Sequence, residues 1–173
     1  MEVKGAAFLY TLATLMITFA GFSALFLTLR PAAGARLSIL DKFLARTIMT
    51  HVFVLTIAAL LPPLFALFEV PEAWIWRASA LLFAPPMLFI QLTYPHRRRK
   101  VVGKSPPPSI YAVFVIFGAA VTLAMLAYVF EGFQFAASAY ITAVALDFFT
   151  VVFGFVVALD IIMQQPMDRE PVA

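Results

Sequence analysis

No cysteine occurs in the 173 residues. That excludes disulfides, Cys-held iron–sulfur clusters, Cys-ligated zinc and Cys nucleophiles together, and it leaves the redox compartment open. Charge is nearly as scarce. Only 12% of the residues are Asp, Glu, Lys or Arg, against about 25% in a soluble domain. Histidine occurs twice, as His51 and His96. No H-E-x-x-H, G-x-S-x-G, Walker loop or G-x-G-x-x-G is present, so the familiar hydrolase and nucleotide-binding signatures are missing. The chain reads away from an enzyme, and no cofactor is expected.

What is there is apolar. Hydrophobic residues make up 64% of the chain, and the mean hydropathy is +0.99. Such a chain cannot cover itself with polar surface, so lipid must be its solvent. A net charge of +3 and a pI near 9.5 would suit a nucleic-acid partner. The charge is confined to short stretches between apolar runs, however, which is the membrane pattern, and no nucleic acid is expected.

Five runs follow one another. Ala6 to Leu29 carries no charge and is long enough, at about 1.5 Å per residue, to span a hydrocarbon core of about 30 Å. Ala33-Gly34-Ala35 looks like a signal-peptidase site, but a signal h-region is only about 7–15 residues. The run is therefore read as a first membrane helix over about 6–29. Ser38 with Asp41 three positions on has the form of a helix start. It opens a second helix over about 39–68, whose first turns carry Leu40, Phe43, Leu44 and Thr47 on one face, with Asp41, Lys42 and Arg46 elsewhere. Glu69-Val70-Pro71-Glu72 is an acidic turn, and Trp74 and Trp76 after it suit an interfacial aromatic belt. The third helix is expected over about 73–94, ended by Pro95. Pro62-Pro63 and Pro85-Pro86 should kink or break helices two and three. Pro106-Pro107-Pro108 suits the start of a fourth helix over about 109–130. Glu131 to Gln134 is a turn, and a fifth helix is expected over about 137–163. The expected fold is all-α, a single polytopic bundle of five transmembrane helices over 1–173.

Orientation comes from the basic residues. His96-Arg97-Arg98-Arg99-Lys100 and Lys104 interrupt the apolar sequence at its middle. With five spans, Arg30, Arg36, Lys42, Arg46, this cluster and Arg169 all fall on one side. That is ten of the twelve basic residues. The positive-inside rule makes that side cytoplasmic, with the N-terminus outside, and the expected location is the bacterial inner membrane. Arg97, Arg98, Arg99, Lys100 and Lys104 are also candidates for contact with anionic lipid headgroups, at about 1 kcal/mol per charge near the surface. Setting topology alone explains them as well.

Asp147 is the residue most out of place. It lies roughly 14 Å into the fifth helix, near the bilayer centre, where a carboxylate costs about 2.5–3.5 kcal/mol on insertion scales. Two readings follow: a proton or cation site facing a cavity, or a carboxyl bonded to hydroxyls of a neighbouring helix. Thr11, Thr14 and Thr18, with Gly21 and Thr28, share one face of the first helix and are the expected partners. The same stripe could simply let helices approach closely. Asp160 stands about 20 Å further along and about 220° around the helix, so the two acids form no dyad. Asp160 is expected to pair with a loop Arg or Lys. His51, His96 and Asp160 fall at one depth. They are weak candidates for metal or haem ligation, because their spacing is no motif.

Thr18-Phe19-Ala20-Gly21-Phe22-Ser23-Ala24-Leu25, running on to Arg30, resembles the opening of a broad group of small uncharacterised bacterial polytopic membrane proteins. The resemblance implies the general layout and brings no activity. The expected function is a non-catalytic subunit or assembly factor of a membrane complex. The alternative is a small oligomeric ion or proton channel or carrier using Asp147. The expected partners are membrane lipids and either further copies of the chain or other membrane subunits.

Overall fold

Each apolar run forms a helix, which bonds its backbone polar groups to one another along the run. The computed structural model describes residues 4–32, 38–131 and 135–163. It holds α1 (Ala6–Ala32), α2 (Ile39–Leu67), α3 (Glu72–Val102), α4 (Pro108–Phe130) and α5 (Ala136–Met163). All five contain a stretch long and apolar enough to cross a membrane, and no strand occurs among the described residues. Ala33-Gly34-Ala35, the glycine–phenylalanine–glutamine part of the 131–134 turn, and the tail from 164 lie outside the described residues.

Ser38 and Asp41 form the expected start of α2. The Asp41 amide donates to Ser38 Oγ at 3.1 Å, and the Ser38 amide donates to Asp41 Oδ2 at 2.9 Å. That reciprocal box turns Asp41 inward, and it is 1% exposed, whereas the amphipathic reading had pointed it away.

Three expectations are corrected. Pro95 does not end α3, which runs two turns further to Val102 and closes on Gly103 at φ 73°. A single proline removes only one ladder bond, so a helix with support on either side can continue through it. The basic cluster is therefore helical rather than loop. Second, of the two outcomes expected at the proline pairs, a kink or a break, the break does not occur. Third, Trp76 is not in an outer belt: it is 2% exposed and packs on Tyr140 at 5.8 Å. Trp74 is exposed, with the Arg77 guanidinium 5.8 Å from its ring centre.

The bond missing at Pro62 is replaced from another helix. Proline 62 has no N–H to give the carbonyl of Ala58, four residues back. The Tyr140 hydroxyl on α5 donates to that carbonyl at 2.8 Å, fully buried. Tyr140→Phe should cost about 1 kcal/mol by leaving a buried acceptor bare. In a Pro62→Ala background the ladder bond returns, and the same change should cost less than half as much. Equal costs in both backgrounds, read from unfolding in detergent, would separate the hydroxyl from the proline.

The core is built from Leu9, Met16, Leu55, Phe83, Met87 and Val144, all 1% exposed or less. α2 touches α1, α3 and α5, and α4 lies between α3 and α5. α1 rests chiefly on α2 and brushes α5, so most of its circumference faces outward.

Candidate functional site

Asp147 sits eleven residues after the start of α5 and is 0% exposed. It does face the bundle interior, yet its partners are not on α1. Gln91 Nε2 on α3 donates to Oδ1 at 2.9 Å. Thr122 Oγ1 on α4 stands 3.0 Å from Oδ2. Three helices therefore converge on one carboxyl group. Gln91 and Thr122 are themselves 0% exposed.

The convergence depends on Gly118. A Cβ placed there would lie 2.5 Å from Gln91 Nε2, 3.1 Å from Gln91 Cδ and 3.4 Å from Asp147 Oδ1. Only a residue without a side chain lets the glutamine lie across α4 to reach the acid.

The helix leading to Gly118 is unusual. Tyr111–Phe117 is π-helical, flanked by α-helical turns within α4. Ile110, Phe114, Gly118 and Thr122 are all buried and four residues apart. In an α-helix each such step overshoots a full turn by about 40°, about 120° over three steps. The wider π turns take up part of that drift. They let one face of α4 stay inward long enough to present both Phe114 and Thr122 to the core.

Proton counting gives the site its chemistry. Thr122 Oγ1 stands 3.1 Å from the Gly118 carbonyl as well as 3.0 Å from Asp147 Oδ2. A hydroxyl has one proton to donate. If Thr122 gives it to Asp147, Oδ2 is the acceptor and carries no proton. If Thr122 gives it to Gly118, the contact to Oδ2 is a bond only when the acid carries a proton and donates it to Oγ1. Both arrangements fit the same heavy-atom positions, and only the second requires a proton on Oδ2. Thr150 Oγ1 donates to the Asp147 backbone carbonyl at 2.7 Å and takes no part in this choice.

Among the described residues several buried polar atoms have no hydrogen-bond partner: Gln91 Oε1 and both ring nitrogens of His51, and, about 18 Å away along α3, Ser79 Oγ. Buried polar groups are normally bonded, so such a group marks strain, a catalytic role or an unseen water or ion. His51 lies edge-on to Phe114 with ring centres 4.9 Å apart.

The other candidates disperse. Thr11, Thr14, Thr18, Gly21 and Thr28 are all exposed. Each threonine hydroxyl bonds back to a carbonyl of its own helix at 2.8–2.9 Å. α1 turns Leu9, Leu12 and Met16 inward and leaves the hydroxyl stripe outside, together with Phe8, Leu15, Ile17 and Phe22. Asp147 therefore gains nothing from it. His51 is buried while His96 and Asp160 are exposed, and no group of three ligating side chains assembles a metal site among the described residues. Of the basic cluster, Arg99, Lys100 and Lys104 are exposed, Arg97 is half-buried, and Arg98 is 7% exposed.

Sequence reasoning missed Gln91, Thr122 and Gly118. Gln91 carried a legible signal, since an amide in the middle of an apolar run costs burial energy unless bonded. Thr122 and Gly118 carried none, because small residues are common in membrane helices. The chain matches no protein-family model, no curated protein and no solved structure.

Proposed function

We propose that this chain is a multi-pass membrane protein that takes up and releases a proton at Asp147, as a small proton-coupled channel or carrier. The observation that carries the reading is Thr122, one hydroxyl between two acceptors, which leaves room for a single exchangeable proton at the carboxyl. An acid enclosed by three helices at mid-length is a costly arrangement in lipid and is characteristic of proton relays. Purified protein in proteoliposomes should pass protons under an imposed pH gradient, and Asp147→Asn should fold and stop the flux. Unchanged flux in the Asn variant would remove the proposal.

A second reading is favoured by a different observation. The outward stripe Thr11–Thr14–Thr18–Gly21 has the small, hydroxyl-bearing surface that membrane helices use to approach one another. It supports a non-catalytic subunit or assembly factor, or a homo-oligomer, with α1 as the docking helix. Cysteine placed at position 14 or 18 should crosslink in native membranes, to itself in an oligomer or to another protein in a complex. Gly21→Leu should reduce that crosslinking several-fold. Failure of both cysteines to crosslink would leave the stripe to lipid.

Orientation follows the charge. We place the basic end of the bundle, with residues 96–104, in the cytoplasm of a bacterial inner membrane, and the N-terminus outside. A reporter fused after Ala173 should read cytoplasmic and one before Met1 periplasmic. Both ends reading on one side would rule out five spans.

A further inference from the structure

Arg98 is buried, and among the described residues no acid is bonded to it. It stands near the basic end of α3, 7% exposed, and its Nε has no hydrogen-bond partner. One terminal nitrogen donates to the Ser105 carbonyl. A guanidinium stays charged in any protein setting, so a half-bonded one inside the fold needs a counter-charge.

A cleft opens beside it. Between α2, α3, α4 and α5 lies a narrow cleft, open on one side. Its walls are apolar side chains, among them Leu44, Ile48, Ile110, Phe114, Val151 and Val157. Arg98 and Pro107 also line it, and among the described residues no acidic side chain does. From Ala158 to Val151 it follows α5 for about 10 Å. Gly154 faces into it with nothing within 4 Å of where a Cβ would be. A second anion-seeking feature borders the rim. α4 begins after Pro107 with no side chain capping its first turn; Pro108 has no N–H and the Tyr111 amide bonds the Pro107 carbonyl, which leaves the amides of Ser109 and Ile110 to favour negative charge.

We infer that this cleft holds one anionic phospholipid of the basic-end leaflet, its phosphate on Arg98 and the upper part of one acyl chain between α2 and α5. The two halves of the site ask for the two halves of that molecule. An apolar groove of this shape takes hydrocarbon, and the arginine fork with uncapped amides takes a phosphate. Arg99, Lys100 and Lys104 are exposed at or just past the same end of α3 and attract anionic lipid without selecting one molecule. The inner wall at Val151 is one turn from Asp147, so an occupied cleft also closes off water from the acid on that side. The inference does not rest on the proton-coupled reading and stands or falls apart from it.

The test is native mass spectrometry of the full chain, extracted from vesicles of equimolar phosphatidylglycerol and phosphatidylcholine. The expected result is one phosphatidylglycerol retained per chain. Arg98→Gln should cut that retention at least tenfold. Gly154→Leu, which fills the cleft from a helical position with open space around it, should do the same while folding normally. Lys104→Gln, exposed and off the cleft, should retain the lipid within twofold of the parent. Three results would each overturn the inference: no preference for phosphatidylglycerol in the parent, retention by Gly154→Leu, or equal losses from Arg98→Gln and Lys104→Gln. A free fatty acid retained in place of the phospholipid would overturn it too. If Arg98→Gln fails to fold, the Gly154→Leu arm decides alone.

Discussion

Asp147→Leu should destabilise the protein by about 2–4 kcal/mol, whereas Asp147→Asn should stay within about 1 kcal/mol of the parent. The difference comes from what each variant leaves behind. Leucine accepts no hydrogen bond, so Gln91 Nε2 keeps a buried donor with nothing opposite. An orphaned buried polar group costs about 1–3 kcal/mol. The extra bulk beside Gly118 and Gln91 adds overpacking of similar size. Asparagine satisfies the whole cluster. Its carbonyl accepts from Gln91, its amide donates to Thr122, and Thr122 donates to the Gly118 carbonyl 3.1 Å away. It thus reproduces the proton-bound arrangement permanently, which makes it the substitution that separates folding from function. Thermal unfolding in detergent gives the first comparison, and flux in proteoliposomes gives the second. A stable leucine variant would show that the three-helix contact contributes little. An asparagine variant as unstable as leucine would show that the site needs the charged acid.

Gly118→Ala is expected to cost about 2 kcal/mol, against the usual direction for a helical glycine. Ala normally stabilises a helix over Gly by about 1 kcal/mol. Here its methyl would meet Gln91 Nε2 at 2.5 Å, closer than atoms tolerate. The glutamine must move, and it is fully buried, so moving it breaks the bond to Asp147. The loss of fit and of that bond together outweigh the gain in propensity. Removing the obstacle should reverse the sign. In a Gln91→Ala background, Gly118→Ala should be neutral or mildly stabilising. That coupling, read as a double-mutant cycle, ties the two residues to one site. Additive effects would mean that Gly118 is held for some other reason.

How much of this could be read beforehand differs from residue to residue. The five helices were legible because apolar runs of more than twenty residues have one stable outcome in a dry medium. Asp147 facing inward was legible for the same energetic reason. Its partners were not. Helical phase tells which residues share a face, but not which way that face turns. Thr11, Thr14 and Thr18 share a face as expected, and the face is the outer one, while Leu9, Leu12 and Met16 on the opposite side are buried. The pairing of α3 with α4 and α5 around Gly118 depends on three helices at once, and on the π-helical turn that sets the phase of α4. No periodicity in a single run encodes that. Pro95 misled because proline is a strong local breaker, yet its cost of about 3 kcal/mol is within what packing along a 31-residue helix can offset.

The bond from Tyr140 to the Ala58 carbonyl has a consequence for how the chain is made. The two residues are 82 positions apart, and a ribosome adding about 5–20 residues per second needs roughly 4–16 s to get from one to the other. Through that interval α2 exists without its missing donor. On the membrane reading, a nascent α2 released straight into lipid would carry a bare carbonyl at Ala58, a penalty that a finished protein never shows. The expectation is that α2 waits, beside water or inside the insertion machinery, until α5 arrives to complete it. Chains truncated before Tyr140 should then be held or degraded, while chains ending after α5 should leave as a set.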